Sequence, residues 1–190
     1  MLVQITGPNA KSPKEFVRQT YETAETCLKI NYYGIKKVTE ILIPILEQSD
    51  SSRIVNVSSS LGQLKLIKNE KAKRELGDAD GLTEERVDKV VEEFLHDVKK
   101  DVVETNGWPI VFSADIVSKA ALNAYTRVLA KKHTKNAINA VNPGYTSTDM
   151  NHNTGVLVVE DGAKDPVMLA LMTENGPSGL YFDQTEVSDF

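Results

Sequence analysis

The chain has 190 residues, 41% of them apolar and 26% charged, and a formal net charge of −5. That length suits one domain with an adequate core, the composition is ordinary for a soluble globular protein, and no basic block supports nucleic-acid binding. The single cysteine, Cys27, excludes an intramolecular disulfide and fits a reducing compartment.

Ser12-Pro13-Lys14-Glu15 reads as a helix start, with a serine cap, a first-turn proline and a capping-box glutamate. A long helix is expected over residues 21–47, with Cys27, Leu28, Val38, Ile41, Leu42 and Leu46 at helical spacing. Pro44 is expected to kink its last turns. Arg53-Ile54-Val55-Asn56-Val57-Ser58 is a β-branched run and predicts a buried strand. Residues 62–107 form a long polar excursion. Within it the spacing predicts an amphipathic helix over 83–100, with Val87, Val90, Val91, Phe94, Leu95 and Val98 on its apolar face. Gly107-Trp108-Pro109 closes the excursion.

A helix over 114–132 follows, then a second strand, Ala137-Ile138-Asn139-Ala140-Val141-Asn142, ended by Pro143-Gly144. A polar loop runs to about residue 154. A helix over 159–171 and a short strand, Gly179-Leu180-Tyr181-Phe182, complete the order. Alternating strands and helices imply parallel pairing through crossovers, an α/β fold. No apolar run reaches the length of a membrane span. The opening residues lack the basic and apolar regions of a signal peptide, and Ser188-Asp189-Phe190 is not a peroxisomal address. A cytoplasmic location is therefore expected.

Several local features carry chemistry only in combination. Lys119 follows Asp115 by four residues, so the two side chains share a helix face. Taken singly, such a pair is an exposed ion pair worth about 0.3–0.5 kcal/mol. An isolated helical asparagine such as Asn31 is usually a local hydrogen-bonding residue. A serine run after a strand, or a Pro-Gly pair, is usually a turn. His96, His133 and His152 are scattered and suggest no metal site.

Four pieces nevertheless occur in one order: Asn31-Tyr32-Tyr33-Gly34, then Val55-Asn56-Val57-Ser58-Ser59-Ser60, then Asp115-x-x-x-Lys119, then Asn142-Pro143-Gly144 with Thr148-Asp149. Together they resemble the short-chain dehydrogenase/reductase family. The excursion ending Asn106-Gly107-Trp108-Pro109 and the phrase Lys119-Ala120-Ala121-Leu122-Asn123-Ala124-Tyr125-Thr126-Arg127 are similar to its plant monomeric carbonyl reductase branch. The resemblance implies the C-terminal part of a Rossmann-like, doubly wound parallel sheet. It also implies a single partial domain over 1–190, with 62–107 as a helical insertion that keeps a complete form monomeric.

The same resemblance implies NADP(H)-dependent reduction of a carbonyl on a small terpenoid- or alkaloid-like molecule, as in plant secondary metabolism. Asn31 would hold a relay water and Ser59 would bond the substrate oxygen. Lys119 would hold the nicotinamide ribose and tune the acid, whose position is Asp115. Pro143 and Gly144 would shape the nicotinamide pocket, with Thr146 and Thr148 near the carboxamide and phosphates. No nucleic-acid or membrane partner is implied.

Two departures bear on activity. Where the family has tyrosine, this chain has Asp115. A carboxylic acid begins near about 3.9, so serving as an acid at neutral pH needs its pKa raised by about 3 units, or about 4 kcal/mol. Burial pushes that way and Lys119 pushes against it. The family's glycine-rich turn, which holds the cofactor pyrophosphate at a helix N-terminus, has no counterpart, and Thr6-Gly7-Pro8 is not a substitute. The expectation is a chain lacking roughly the first third of the fold, with an open strand edge that favours self-association. Three readings stay open: a reductase acting on a carbonyl, an inactive remnant or binding module, and a reductase of enone double bonds.

Overall fold

A computed structural model of the chain describes residues 19–173 and 176–190. The expected helix start at Ser12 and the Thr6-Gly7-Pro8 segment lie outside the described residues. The first helix, α1 (Tyr21–Leu28), begins at a reciprocal cap in which Thr20 and Thr23 satisfy each other's backbone amides. It passes through a π-helical turn, Lys29–Gly34, into α2 (Ile35–Leu46), which ends two residues after Pro44. The long helix expected over 21–47 is thus present, with an extra residue wound into its middle.

Then come β1 (Arg53–Val57), α3 (Glu70–Gly77), α4 (Glu84–Lys99), α5 (Ser113–Lys132), β2 (Ala137–Asn142), α6 (Val159–Ala170), β3 (Tyr181–Asp183) and β4 (Glu186–Ser188). The sheet order is β1-β2-β3-β4. β1 pairs β2 in parallel, as does β2 with β3, and β4 folds back antiparallel on β3. The strand alternation sends Ile54 and Asn56 toward α5, where the Asn56 amide donates to Thr126 at 2.9 Å. Val55 points the other way, toward a smaller apolar cluster of Val141, Leu169 and Phe182 that α6 helps close. Helices cover both faces of a mainly parallel sheet, as the α/β expectation requires.

The excursion over 62–107 contributes to the core. Val87, Val90, Val91, Phe94 and Val98 of α4 are buried, and the helix packs on α1 and α5. Trp108 meets Phe94 edge-on and donates its indole N–H to Asp97 at 2.7 Å. Tyr32 of the π turn donates to Asp88 of α4 at 2.7 Å, and the Lys36 ammonium lies 2.7 Å from the same carboxylate. A helix absent from the sequence expectation, α3, starts at an Asn69 cap.

The apolar stripe of α2 does not face the core: Val38, Ile41 and Leu42 are exposed, and Thr39 and Ile43 are the buried positions. The buried strand expected over 53–58 is corrected with it: β1 is only partly buried, with Val57 exposed. The cause is shared. Among the described residues β1 pairs on one side only, so the flank of α2 stands over an open strand edge. Val38, Leu42, Leu46 and Ile54 line the cleft between them.

Candidate active site

Parallel strands deliver their following loops to one edge of the sheet, the edge where open α/β folds bind ligands. β1 and β2 end side by side, with Val57 opposite Val141 and the Ser58 amide bonded to the Val141 carbonyl at 2.7 Å. Ser59 therefore leaves β1 beside the Pro143-Gly144 turn that leaves β2. Ser59 caps a short turn, Ser60–Gly62, its side-chain oxygen accepting the Leu61 amide at 3.1 Å. Gly62 is buried against α5. A Cβ there would stand 2.6 Å from the Asn123 amide nitrogen and 3.1 Å from the backbone carbon of Lys119. A bare backbone is what lets the Ser59 turn lie directly on the helix that carries Asp115 and Lys119.

α5 starts in an unusual way. Phe112, not Ser113, takes the capping position, in the left-handed region at φ 54°, and its side chain provides no cap. Asp115 follows in the first turn. Its carboxylate does not pair with Lys119. The Lys119 ammonium instead donates to the Val57 carbonyl at 2.8 Å, across the gap to β1. Asp115 accepts the Cys27 thiol at 3.6 Å. The Asn31 amide donates to Ser118 at 3.2 Å and to Cys27 at 3.4 Å, and the Ser118 hydroxyl donates to the Asp115 carbonyl at 2.9 Å. Asn31 and Asp115 thus meet through Cys27 and Ser118. Lys119 reaches toward Ser59 through Val57.

The electrostatics differ in part from the sequence expectation. Burial raises the Asp115 carboxyl above its ordinary value, and the Cys27 hydrogen bond and Lys119 pull it down by less. Burial lowers the Lys119 ammonium, with Asp115 opposing. The Cys27 thiol is pushed up to about 11, by burial first and the nearby Asp115 second, so it keeps its proton. In the sequence Cys27 reads only as an apolar helix position, and Ser118 carries no signal of its own. Spacing was the clue available, since Cys27 is one turn before Asn31, and Ser118 adjoins Lys119.

The loop after β2 is tightly built. Gly144 has φ 79°, and its amide is held by the Asn142 side chain at 3.2 Å. Thr146 bridges to Leu157 and Thr148 caps a short turn with Asn151. Neither threonine hydrogen-bonds to Ser59, Asp115 or Lys119 among the described residues. A nicotinamide–ribose end fits this edge. Lys119 is a cation partly desolvated by burial and held by one carbonyl, and the Pro143-Gly144 turn follows the strand paired beside that carbonyl. For a pyrophosphate, no glycine-rich helix start is present among the described residues. Nor do they hold a cluster of three acidic, histidine or cysteine side chains suited to a metal. No described helix is long and apolar enough to cross a membrane.

No protein-family model matches the chain, but individual proteins do. Salutaridine reductase of Papaver bracteatum is 55% identical over 93% of this chain and 57% of its own length. (+)-Neomenthol dehydrogenase of Arabidopsis thaliana is 55% identical over 93% of this chain and 60% of its own. The solved structure of salutaridine reductase from Papaver somniferum superposes with a TM-score of 0.86 at 54% identity, covering 91% of this chain and 59% of that one. The chain therefore spans a little under two thirds of the length of these relatives.

Proposed function

The chain belongs to the short-chain dehydrogenase/reductase family, and on that premise we propose that it serves NADP(H)-dependent reduction of a carbonyl on a small terpenoid- or alkaloid-like molecule, with ketone reduction weakened by Asp115. The observation that carries this reading is the meeting of Ser59, Lys119 and the Pro143-Gly144 turn at one edge of the sheet, beside Asp115. When bound, the nicotinamide supplies the hydride. The chain's own residues hold and polarise the substrate. Ser59 offers its hydroxyl proton to the carbonyl oxygen, while its oxygen accepts the Leu61 amide and is held in place by it. Lys119 holds the ribose. Asn31 keeps a water in reach of the ammonium, and Pro143, Gly144, Thr146 and Thr148 wall the cofactor. The domain reading, one unit with 62–107 as a helical insertion, belongs to the same proposal.

Asp115 supplies a proton only in its neutral form, and its buried setting raises the fraction that is neutral at mildly acidic pH. Its shorter side chain leaves it farther from a substrate oxygen than a tyrosine. The test is Asp115→Tyr, followed by NADPH oxidation against a ketone panel. A positioned general acid is worth about 10² to 10⁴ in rate, so a gain of that order is expected. No gain refutes the reading.

One observation favours a second reading. With Ser59 and Lys119 both aimed at one edge, a substrate oxygen can be polarised without being protonated, which is all that enone double-bond reduction asks. Turnover of an enone but not of its saturated ketone by the unaltered chain selects this reading, and the opposite pattern removes it. Absence of NADPH binding by calorimetry would leave the inactive remnant or binding module.

A further inference from the structure

We propose that Tyr181 and Phe190 are positioning residues for Ser59, holding its turn from two strands away on the face of the sheet that α5 covers. Tyr181 lies on β3, opposite Ala140 of β2, and is buried. Its hydroxyl donates to the Ser59 main-chain carbonyl at 3.2 Å. That carbonyl also accepts the Gly62 amide at 2.9 Å, so it is pinned both by its own turn and by a strand two places away. The Ser59 side-chain oxygen is meanwhile engaged by the Leu61 amide. With both oxygens of Ser59 engaged, the hydroxyl proton is the freedom this turn keeps.

Phe190 backs this arrangement. It is buried, its ring meets Tyr181 at 6.3 Å and 64°, and the Arg127 guanidinium of α5 lies 4.0 Å over the same ring. The stack Arg127–Phe190–Tyr181 ties the Ser59 carbonyl to the helix that carries Asp115 and Lys119. Burial, with Asp183 second, pushes the Tyr181 hydroxyl well above its ordinary value, so it remains a donor over the whole working range. Both contacts run through the third strand and the residues after it, far in sequence from Ser59.

The functional side of this inference rests on the reading of Ser59 as the group that holds a substrate oxygen, so the first measurement is independent of turnover. Tyr181→Phe keeps the ring and removes the donor; Phe190→Leu keeps the donor and removes its support. In the 190-residue chain, amide exchange at Leu61 and Gly62 is expected to rise about five- to tenfold in Tyr181→Phe, the scale of one lost hydrogen bond. A smaller rise is expected in Phe190→Leu. The Ser59 carbonyl ¹³C shift should move in both variants, while Ala140 and Val141 keep their protection. Unchanged exchange at Leu61 and Gly62, or a rise shared equally by Ala140 and Val141, overturns the proposal. In an Asp115→Tyr background, Tyr181→Phe should lower kcat about three- to tenfold with KM nearly unchanged. A moved Ser59 signal with no ketone turnover in that background refutes the reductase reading alone.

Discussion

Replacing Gly62 by alanine tests the close approach on which the site is built. The added Cβ would lie 2.6 Å from the Asn123 amide nitrogen, 3.1 Å from the Lys119 backbone carbon and 3.1 Å from the Lys119 Cβ. Carbon contacts are comfortable near about 3.5–4.0 Å, so every one of these is too short. Asn123 cannot swing clear cheaply, because it is 1% exposed and its amide donates to the Gly62 carbonyl at 3.2 Å. The Lys119 atoms belong to the middle of a twenty-residue helix and cannot move alone. The turn must therefore lift by a few tenths of an ångström. Overpacking of this kind costs about 1–3 kcal/mol, which for a chain of this size lowers Tm by about 2–12 °C. Thermal and urea unfolding at matched protein concentration measure it. The control is Gly77→Ala, whose Cβ meets only the far end of the Leu64 side chain at 3.3 Å, at the end of α3. That substitution should be neutral or stabilising by up to about 1 kcal/mol. If Gly62→Ala leaves stability within about 0.5 kcal/mol of the parent, or if both substitutions cost the same, the argument from close approach is wrong.

Asp115→Asn should stabilise the chain at neutral pH. A carboxyl raised in the fold binds its proton more tightly there than in the unfolded chain, so its contribution to stability is present below the unfolded value and is lost as pH rises through the folded one. The advantage of the Asp115→Asn variant over the parent should therefore vanish in acid, and a difference in urea midpoints that stays flat from acid to neutral pH would refute it. Tyr32→Phe removes the buried hydroxyl that donates to Asp88, and should cost about 1.5–3 kcal/mol in urea unfolding. A cost near zero would mean that α4 is held without that bond. Phe94→Ala empties the position where α4 meets Trp108 and should cost about 3–5 kcal/mol with a red-shifted tryptophan emission; an unchanged spectrum would remove Trp108 from that contact.

What the sequence made legible follows the strength of its periodic signals. β2 matches its expected bounds because Ile138, Ala140 and Val141 are strong core positions and the run stops at Pro143. α5 and α6 fall within a residue of expectation. α3 went unseen because only Ala72 and Leu76 of its eight residues are buried, too few to show a period. β4 is three residues long, with Glu186 and Val187 exposed, so it has no apolar alternation to read. The stripe of α2 was legible as apolar, but nothing in a helical period says which neighbour will cover it. The site divides similarly. The ordered motifs pointed to Asn31, Ser59 and Lys119, whereas the bonds from Cys27 to Asp115, from Asn31 to Ser118 and from Tyr181 to Ser59 span 88, 87 and 122 residues of sequence.

Those long-range contacts also change what the aspartate at position 115 means. Had Lys119 depended on its neighbour one helical turn back, a different residue there would move the lysine as well. It depends instead on the Val57 carbonyl, a backbone group that no side-chain substitution removes. The ammonium is therefore placed by the strand, and the Ser59 turn by Gly62 and Tyr181, with neither resting on the identity of residue 115. Asp115 is held in its pocket through Cys27, a thiol that retains its proton and donates the bond. Asp115 is thus a local departure, and the placement of Lys119 and of the Ser59 turn around it does not depend on it. On the proposed reading, a tyrosine introduced by Asp115→Tyr meets a lysine and a serine that are already placed, so the substitution should raise ketone reduction wherever NADPH binds rather than merely improve the packing of the helix start.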